Sequence, residues 1–130
     1  MRRIKIGMVG GGQGSFIGAV HRIAARIDDR FDFVAGALSS DPARAVASAQ
    51  ELGISPSRIY TNFNEMAHCE AQRRDGIEAV SIVTPNHLHA EAAIAFLEVG
   101  IHVICEKPLT VSSKEASRIK AAVDASKARF

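Results

Sequence analysis

The stretch MVGGGQGSFIGAVH, from Met8 to His21, places five of the ten glycines of this 130-residue chain within nine positions. Such a stretch is a flexible linker, a tight structural corner or a cradle for phosphate. Upstream, the apolar run Ile4–Val9 is typical of a buried strand, whereas a linker would have polar neighbours. Downstream, apolar residues recur every three or four positions, which predicts one face of a helix. Those positions are Phe16, Ile17, Val20, Ile23, Ala24 and Ile27.

The glycines therefore join a predicted strand directly to a predicted helix. This arrangement directs backbone N–H groups and the positive end of a helix dipole towards one point, which suits a pyrophosphate. Gly10-Gly11-Gly12 supplies the first part of a G-x-G-x-x-G fingerprint, but Ser15 occupies the place of its third glycine. The turn thus resembles a widened phosphate-binding turn, and the glycine pattern alone has low specificity.

Composition limits the classes of protein that the chain can belong to. With 47% apolar residues, the chain is long enough for one domain with a sizeable core. A net charge of +2 with dispersed basic residues argues against a nucleic-acid-binding protein. The sequence has no membrane-length apolar run, and its start predicts no signal peptide. Cys69 and Cys105 lack metal-ligand spacing, so we expect reduced thiols, no metal site and a cytoplasmic location.

Strand and helix patterns alternate along the rest of the chain. Strands are predicted at 4–9, 31–38, 59–60, 77–84 and 101–105, with helices at 16–27, 42–53, 62–73, 88–99 and 112–130. Asp41-Pro42 and Ser112-x-x-Glu115 are typical helix starts. The alternation predicts an α/β protein with a Rossmann-type doubly wound parallel sheet in three layers, α/β/α. Because a sixth strand is missing and the last helical pattern reaches Phe130, we expect a fragment, truncated before a C-terminal substrate domain.

Three predicted loops follow the carboxyl ends of strands, where ligands bind in such sheets. They are Gly10–Ser15, Thr84–His89 and Glu106-Lys107-Pro108. The glycine-rich turn, the stretch TPNHLHAEAAIAFLEVGIHVICEKPLT from Thr84 to Thr110 and the spacing between them resemble the Gfo/Idh/MocA oxidoreductases. The resemblance covers the whole chain but only the N-terminal NAD(P)-binding domain of that family.

The resemblance implies a cofactor, NAD or NADP, and a set of residues that contact it. The glycine turn would surround the pyrophosphate, and the later loops would lie near the nicotinamide. The expected cofactor-binding residues are Gly10, Gly12, Gln13, Gly14, Ser15, Phe16, Ser39, Ser40, Arg44, Thr84, Pro85, Asn86, His89, Glu106, Lys107 and Pro108.

The resemblance also implies a catalytic residue, Lys107, which would orient the substrate hydroxyl and help proton movement. A purely structural Lys107 is the alternative. Glu106 would contact the nicotinamide end of the cofactor or, equally, form a salt bridge with Lys107. Pro108 would shape the turn, often through a cis peptide bond in this family.

The end of the second predicted strand leaves the choice of cofactor open. An NAD enzyme often places an acidic residue there to hold the ribose hydroxyls. This chain has Ser39-Ser40 instead, with Arg44 in the next helix, which could accommodate the 2′-phosphate of NADP. Alternatively, Asp41 only caps its helix and Arg44 only faces solvent.

The resemblance predicts hydride transfer between nicotinamide and a sugar, polyol or inositol-like alcohol, in a full-length protein that is a homo-oligomer. This fragment alone would bind cofactor without turning over substrate. The alternatives are a non-catalytic NAD(P)-binding sensor or regulatory module of the same fold and a nucleotide-free scaffold. The pair His87 and His89 offers too few ligands for a metal, and His89 suits a local hydrogen bond at a helix start.

Overall fold

A parallel four-stranded sheet forms the centre of the computed structural model, which describes residues 1–130. Its strands are β1 (Ile4–Val9), β2 (Phe31–Ala37), β3 (Ala79–Ile82) and β4 (His102–Cys105). Their order is β2-β1-β3-β4, and all neighbours are parallel. The chain moves outward from β1 to β2 and then crosses to β3 on the other side. The strand order therefore reverses between β1 and β3, where doubly wound sheets bind ligands.

Five helices connect and flank the strands. They are α1 (Phe16–Arg26), α2 (Pro42–Glu51), α3 (Phe63–Gln72), α4 (His89–Glu98) and α5 (Ser113–Ala125), with short 3₁₀ turns at Pro56–Arg58 and Asn86–Leu88. The predicted caps are present: the Asp41 carboxylate accepts from the Ala43 N–H, and the Ser112 hydroxyl accepts from the Glu115 N–H. None of the helices has the length and apolar character that a membrane span needs.

The sheet separates two hydrophobic cores because successive strand residues point to opposite faces. Val9 belongs to the larger core, which α3, α4 and α5 cover and which includes Phe96 and Ile119. Met8 belongs to the smaller core on the opposite face, together with Ala49 of α2. This is the predicted Rossmann-type α/β/α arrangement.

Two predicted elements differ from the observed ones. The predicted third strand, at 59–60, is only an isolated bridge between Gly36 and Ile59, because α3 begins four residues after Ile59 and leaves no room for a ladder. The predicted helix reaching Phe130 ends instead at Ala125. Beyond it, the Ser126 hydroxyl accepts from the Ala128 N–H, and the Arg129 carbonyl accepts from the Val103 N–H of β4.

The predicted apolar face of α1 is largely exposed. Phe16 and Ile27 retain 82% and 81% of their surface, and Gly18 is the one buried residue of this helix. Helix α1 packs through Gly18 directly against Gly11 of the preceding turn, where an added β-carbon on Gly18 would collide with Gly11. The close approach of the backbone, rather than the apolar face, thus fixes the position of α1.

Candidate functional site

A groove of about 560 Å³ lies at the carboxyl edge of the sheet, at the point where the strand order reverses. The loops after β1, β2 and β3 form most of its wall. It brings together ten of the predicted cofactor-binding residues. These are Gly10, Gly12, Gln13, Gly14, Ser15, Ser39, Ser40, Arg44, Thr84 and Pro85.

The glycine turn needs glycine for two separate reasons. Gly10 and Gly14 have φ angles of +77° and +83°, in the left-handed region that other residues seldom adopt. Gly12 has ordinary backbone angles, but a β-carbon there would stand 2.7 Å from the Leu38 carbonyl oxygen at the end of β2. The turn therefore lies flat against the second strand and presents bare backbone to the groove.

The start of α1 offers unused hydrogen-bond donors beside the groove. Ser15 occupies the N-cap position, but its side chain makes no capping hydrogen bond. No hydrogen bond outside the regular elements uses the N–H of Gly14, Phe16 or Ile17. Free N–H groups at the positive end of a helix dipole form a binding site for an anionic group such as phosphate.

Thr84 contributes a buried polar atom that has no partner in the protein. Its hydroxyl oxygen is the single buried side-chain polar atom without a hydrogen bond, and Thr84 lines the groove directly after β3. A buried polar group without a partner costs about 1–3 kcal/mol. The residues of the groove therefore suit a polar ligand that completes the bonding of Thr84.

The end of β2 presents hydroxyls and a guanidinium rather than a carboxylate. Ser39, Ser40 and Arg44 line the groove. Asp41 does not line it, since its carboxylate caps α2 while its own N–H donates to the Ser39 hydroxyl. The residues available to a ribose at this point are thus neutral or positively charged.

Six predicted residues lie outside the groove lining, and three of them precede β4. Phe16 is exposed at the first position of α1, and Asn86 begins the 3₁₀ turn before α4. His89 is 1% exposed, with Nε2 2.8 Å from the Thr84 carbonyl oxygen and Nδ1 3.0 Å from that of Pro108. Its ring therefore lies between the backbone carbonyls of two loops and donates to one of them when neutral, the local role that suits a histidine at this helix start.

The Glu106–Pro108 turn follows β4, and none of its three residues lines the groove. Glu106 makes no salt bridge with Lys107, one of the two predicted alternatives; its carboxylate bonds α1 instead, where one oxygen lies 2.7 Å from His21 Nε2. Its other oxygen accepts from the Lys107 backbone N–H at 2.8 Å. The hydrogen bond from His21 is the main cause that lowers the pKa of Glu106. Lys107 is exposed, and its ammonium makes no ion pair in this chain; the Lys107–Pro108 peptide is cis, as the family resemblance implied.

The structure adds residues that sequence reasoning did not select. Thr61, Asn62 and Phe63 form the far wall of the groove, and Leu88 lies beside Pro85 in its lining. Thr61 follows the bridge at Ile59, so its position after a strand-like segment was a usable signal. In contrast, the sequence identified Asn62 only as the cap of α3, and in the structure its side chain caps that helix as well as lining the groove. His21 had no local sequence signal.

These features have a counterpart in a known family of proteins. The family model for an oxidoreductase family with an NAD-binding Rossmann fold, Gfo/Idh/MocA, matches residues 4–130. The chain belongs to the Gfo/Idh/MocA oxidoreductase family. The Rossmann fold of this family is NAD-binding, and the reversal of the strand order, where the groove lies, is where doubly wound sheets accept ligands.

Individual Gfo/Idh/MocA relatives agree with this assignment. The chain is 38% identical over 95% of its length to a levoglucosan dehydrogenase of Pseudarthrobacter phenanthrenivorans, of which it covers 31%. An oxidoreductase from Sinorhizobium meliloti superposes with a TM-score of 0.94 at 60% identity, covering 98% of this chain and 35% of that one. An inositol dehydrogenase homologue from Azotobacter vinelandii, complexed with NADH and myo-inositol, superposes with a TM-score of 0.91 at 44% identity. That match covers 95% of this chain and 33% of the homologue.

The chain spans about a third of the length of the Gfo/Idh/MocA relatives that it matches. Its 130 residues contain the NAD-binding fold and the Glu106-Lys107-Pro108 turn.

Proposed function

We propose that this chain is the cofactor-binding domain of a dehydrogenase that uses NAD(H) to oxidise an alcohol carbon of a sugar, polyol or inositol-like substrate. The substrate class rests on the relatives, which are named as a levoglucosan dehydrogenase and an inositol dehydrogenase homologue with bound myo-inositol. These compounds are alike in carrying several hydroxyl groups on a ring.

The unpartnered hydroxyl of Thr84, a residue in the wall of the glycine-lined groove, is the observation that carries the cofactor-binding part of the proposal. Residues Gly10–Ser15 and the free N–H groups at the start of α1 would hold the pyrophosphate. Ser39 and Ser40 would face a ribose. Each of these groups is a hydrogen-bond donor or carries a hydroxyl, which matches the phosphate and ribose oxygens of a dinucleotide.

Lys107 is the residue of this chain that we assign to proton movement. Bound NAD⁺ supplies the hydride acceptor of such a reaction. Lys107 stands on the turn after β4, and its ammonium is exposed without an ion-pair partner in this chain. An ammonium in this state is free to hydrogen-bond a substrate hydroxyl oxygen. In its neutral form the amine accepts the hydroxyl proton as the alcohol is oxidised, and the resulting ammonium returns a proton in the reverse reaction.

Calorimetric titration of the purified chain with NADH tests the cofactor-binding part. We expect saturable binding by the wild type and binding weaker by about tenfold in Thr84→Val, which removes the hydroxyl and keeps the side-chain shape. Thr110→Val is the matched control, because its hydroxyl bonds the Ser112 carbonyl outside the groove. A folded wild type that does not bind NADH, or Thr84→Val binding as tightly as the wild type, would contradict this part.

The assignment of Lys107 needs a second test with substrate. Residues 4–130 would replace the matching third of the levoglucosan dehydrogenase relative, and NADH formation from levoglucosan would be followed by absorbance. Lys107→Met is expected to lower turnover at least about a hundredfold while leaving NADH affinity within about twofold. Lys114→Met removes another exposed lysine at the start of α5 and is expected to leave both unchanged. Full turnover by Lys107→Met would contradict the assignment.

A further inference from the structure

Three polar side chains form a continuous hydrogen-bonded series on the face of the sheet that carries α1. We call this series the polar chain. His21 Nδ1 lies 2.8 Å from the Ser81 hydroxyl, and His21 Nε2 lies 2.7 Å from the Glu106 carboxylate. Ser81 is 2% exposed in the middle of β3, while the His21 and Glu106 side chains retain 18% and 16% of their surface. The three residues line one groove of about 400 Å³ whose remaining walls are mostly apolar, including Ile17, Val20 and Phe33.

Two features of the fold bring this polar chain together. The contact between Gly11 and Gly18 sets α1 close to the sheet, one turn before His21. Alternation along β3 places Val80 and Ile82 in the larger core, so Ser81 points to the face that carries α1. His21 can therefore span from a buried strand to the turn that follows β4.

The hydrogen-bond chemistry of the three groups fixes the His21 ring. An ionised carboxylate only accepts, so the hydrogen of a neutral His21 ring lies on Nε2 and points at Glu106. The remaining nitrogen, Nδ1, then accepts from the Ser81 hydroxyl. The Ser81 hydroxyl supplies the hydrogen for this bond and so holds the ring in place. A hydrogen bond to one ring nitrogen commonly orients a functional histidine in this way.

The carboxylate of Glu106 connects the fixed His21 ring to the backbone of Lys107. One carboxylate oxygen is held by His21, and the other accepts from the Lys107 backbone N–H at 2.8 Å. The Glu106 N–H also donates to the Ile82 carbonyl at 2.9 Å. The successive backbone N–H groups of Glu106 and Lys107 are thus both hydrogen-bonded before the side chain of Lys107 leaves the sheet edge.

We propose that His21 is a positioning residue for the Glu106–Lys107–Pro108 turn, holding the Glu106 carboxylate against the Lys107 N–H while Ser81 fixes the imidazole ring. The importance of this positioning for catalysis rests on the proposed function of Lys107. The interaction itself is a property of the chain without any ligand, so the two proposals fail separately.

The charged and titratable groups around Glu106 are few. Helix α1 contributes His21, β4 contributes the thiol of Cys105, and the turn itself contributes Lys107; β3 contributes only the hydroxyl of Ser81. The hydrogen bond from His21, followed by the Lys107 N–H, lowers the pKa of Glu106. Loss of His21 is therefore expected to raise the pKa of Glu106 towards the ordinary value of a glutamate.

Nuclear magnetic resonance of the labelled full chain without ligand tests the inference. The Lys107 amide proton and the Glu106 carboxyl carbon would be followed against pH in the wild type, His21→Leu, His21→Gln and Val20→Ala. We expect His21→Leu to raise the pKa of Glu106 and to move the Lys107 amide proton upfield, because its hydrogen bond lengthens. His21→Gln, which keeps an N–H near the position of Nε2, is expected to restore both signals towards the wild type.

The control separates positioning from general packing. Val20 lines the same groove one residue before His21 and makes no hydrogen bond to Glu106, so Val20→Ala is expected to leave both signals unchanged. If His21→Leu does not fold, Ser81→Ala supplies the test: it removes the hydrogen bond at His21 Nδ1 while Glu106 still fixes the tautomer, so we expect the Nδ1 resonance to shift and the Lys107 amide proton to move upfield as the ring loses its support. Wild-type signals in His21→Leu, equal shifts in Val20→Ala, or an unchanged Lys107 amide proton in Ser81→Ala would each overturn the inference.

Discussion

A β-carbon built on Gly18 would stand 2.5 Å from the Cα atom of Gly11. The glycine turn and the helix that follows it therefore touch through bare backbone. This contact explains how α1 is held although its apolar residues Phe16, Ile23 and Ile27 are 82%, 63% and 81% exposed. The contact also sets the distance between His21 and the sheet.

Gly18→Ala tests this contact through the sign of its effect on stability. Helix propensity alone predicts a gain of about 1 kcal/mol for alanine over glycine inside a helix. The collision with Gly11 predicts the opposite, a loss of about 1–3 kcal/mol in the free energy of unfolding, because both sides of the contact are backbone. Urea denaturation measures the difference, and a stabilised Gly18→Ala chain would show that α1 can shift away without cost.

A matched pair of glycines separates cofactor binding from backbone strain. Gly14 and Gly53 have φ angles of +83° and +70°, and a β-carbon at either meets nothing within 4 Å. Alanine at each position should therefore cost about 1–2 kcal/mol of stability. Only Gly14 lies in the groove, so Gly14→Ala alone is expected to weaken NADH binding, by roughly tenfold. Equal weakening by Gly53→Ala, measured by calorimetry, would mean that the loss reflects stability rather than the site.

The sequence predicted the parts of the site that local patterns encode. The glycine turn, the strand that precedes it and the residues at the ends of β2 and β3 all lie at one sheet edge, because parallel strands bring their carboxyl ends together. Glycine spacing and apolar runs are sufficient to predict that arrangement. The same patterns predicted a last helix longer than the observed one and a third strand near Ile59. The last helix is shorter because Ser126 caps it, and the third strand is only a bridge because α3 begins soon after Ile59.

The rest of the site depends on contacts between distant parts of the chain. His21 and Glu106 are 85 positions apart, and only the packing of α1 on the sheet brings them together. The missing partner of the Thr84 hydroxyl is likewise a property of the packed groove. Composition and periodicity cannot predict either relation, since both depend on how distant segments of the chain pack together.

Arg44 is predicted to decide how well the groove accepts NADP(H). It lines the groove at the start of α2, where the neutral Ser39 and Ser40 leave room for a 2′-phosphate. Arg44→Ala is expected to lower NADPH affinity about tenfold, with a change of less than about twofold for NADH, because only NADPH carries the extra phosphate. Arg26→Ala, on the exposed end of α1, is the control. Parallel losses for both cofactors in calorimetry would place Arg44 away from the 2′ position.

Glu78 gives the fold an acid-sensitive ion pair. Its carboxylate accepts from both terminal nitrogens of Arg2 and from the Lys5 N–H, and these bonds lower its pKa to about 2. A carboxyl whose pKa is depressed by folding stabilises the protein above its unfolded pKa and loses that contribution as the pH falls towards 2. Because the side chain is 33% exposed, we expect Glu78→Gln to cost only about 1 kcal/mol at pH 7.

Unfolding experiments at several pH values check the sign of the Glu78 contribution. The difference between wild type and Glu78→Gln should be constant from pH 7 to about 5 and should shrink as the pH approaches 2. Glu98→Gln, on an exposed carboxylate without an ion-pair partner, is expected to show no such difference. A Glu78→Gln difference that grows on acidification would contradict the assignment of the pKa.

Glu70 anchors the segment that leads into the far wall of the groove. Its fully buried carboxylate accepts from the Arg58 guanidinium, the Tyr60 hydroxyl and the Ile77 N–H, and Tyr60 immediately precedes Thr61 in the groove lining. Burial and the bond to Glu70 raise the pKa of Tyr60, so this hydroxyl remains a donor across the working range of pH.

Removal of Glu70 should therefore be among the most destabilising single changes in the chain. Glu70→Ala removes the buried partner of the Arg58 guanidinium and leaves it only the more distant, exposed Asp75, so we expect a loss of about 3–5 kcal/mol in urea unfolding. Tyr60→Phe removes one hydrogen bond to the carboxylate and should cost about 1–2 kcal/mol. The double variant Glu70→Met with Arg58→Met is expected to recover much of the Glu70→Ala loss, because no buried charge then lacks a partner. A double variant as unstable as Glu70→Ala would show that the shape of this ion pair, rather than the balance of its charges, maintains the segment.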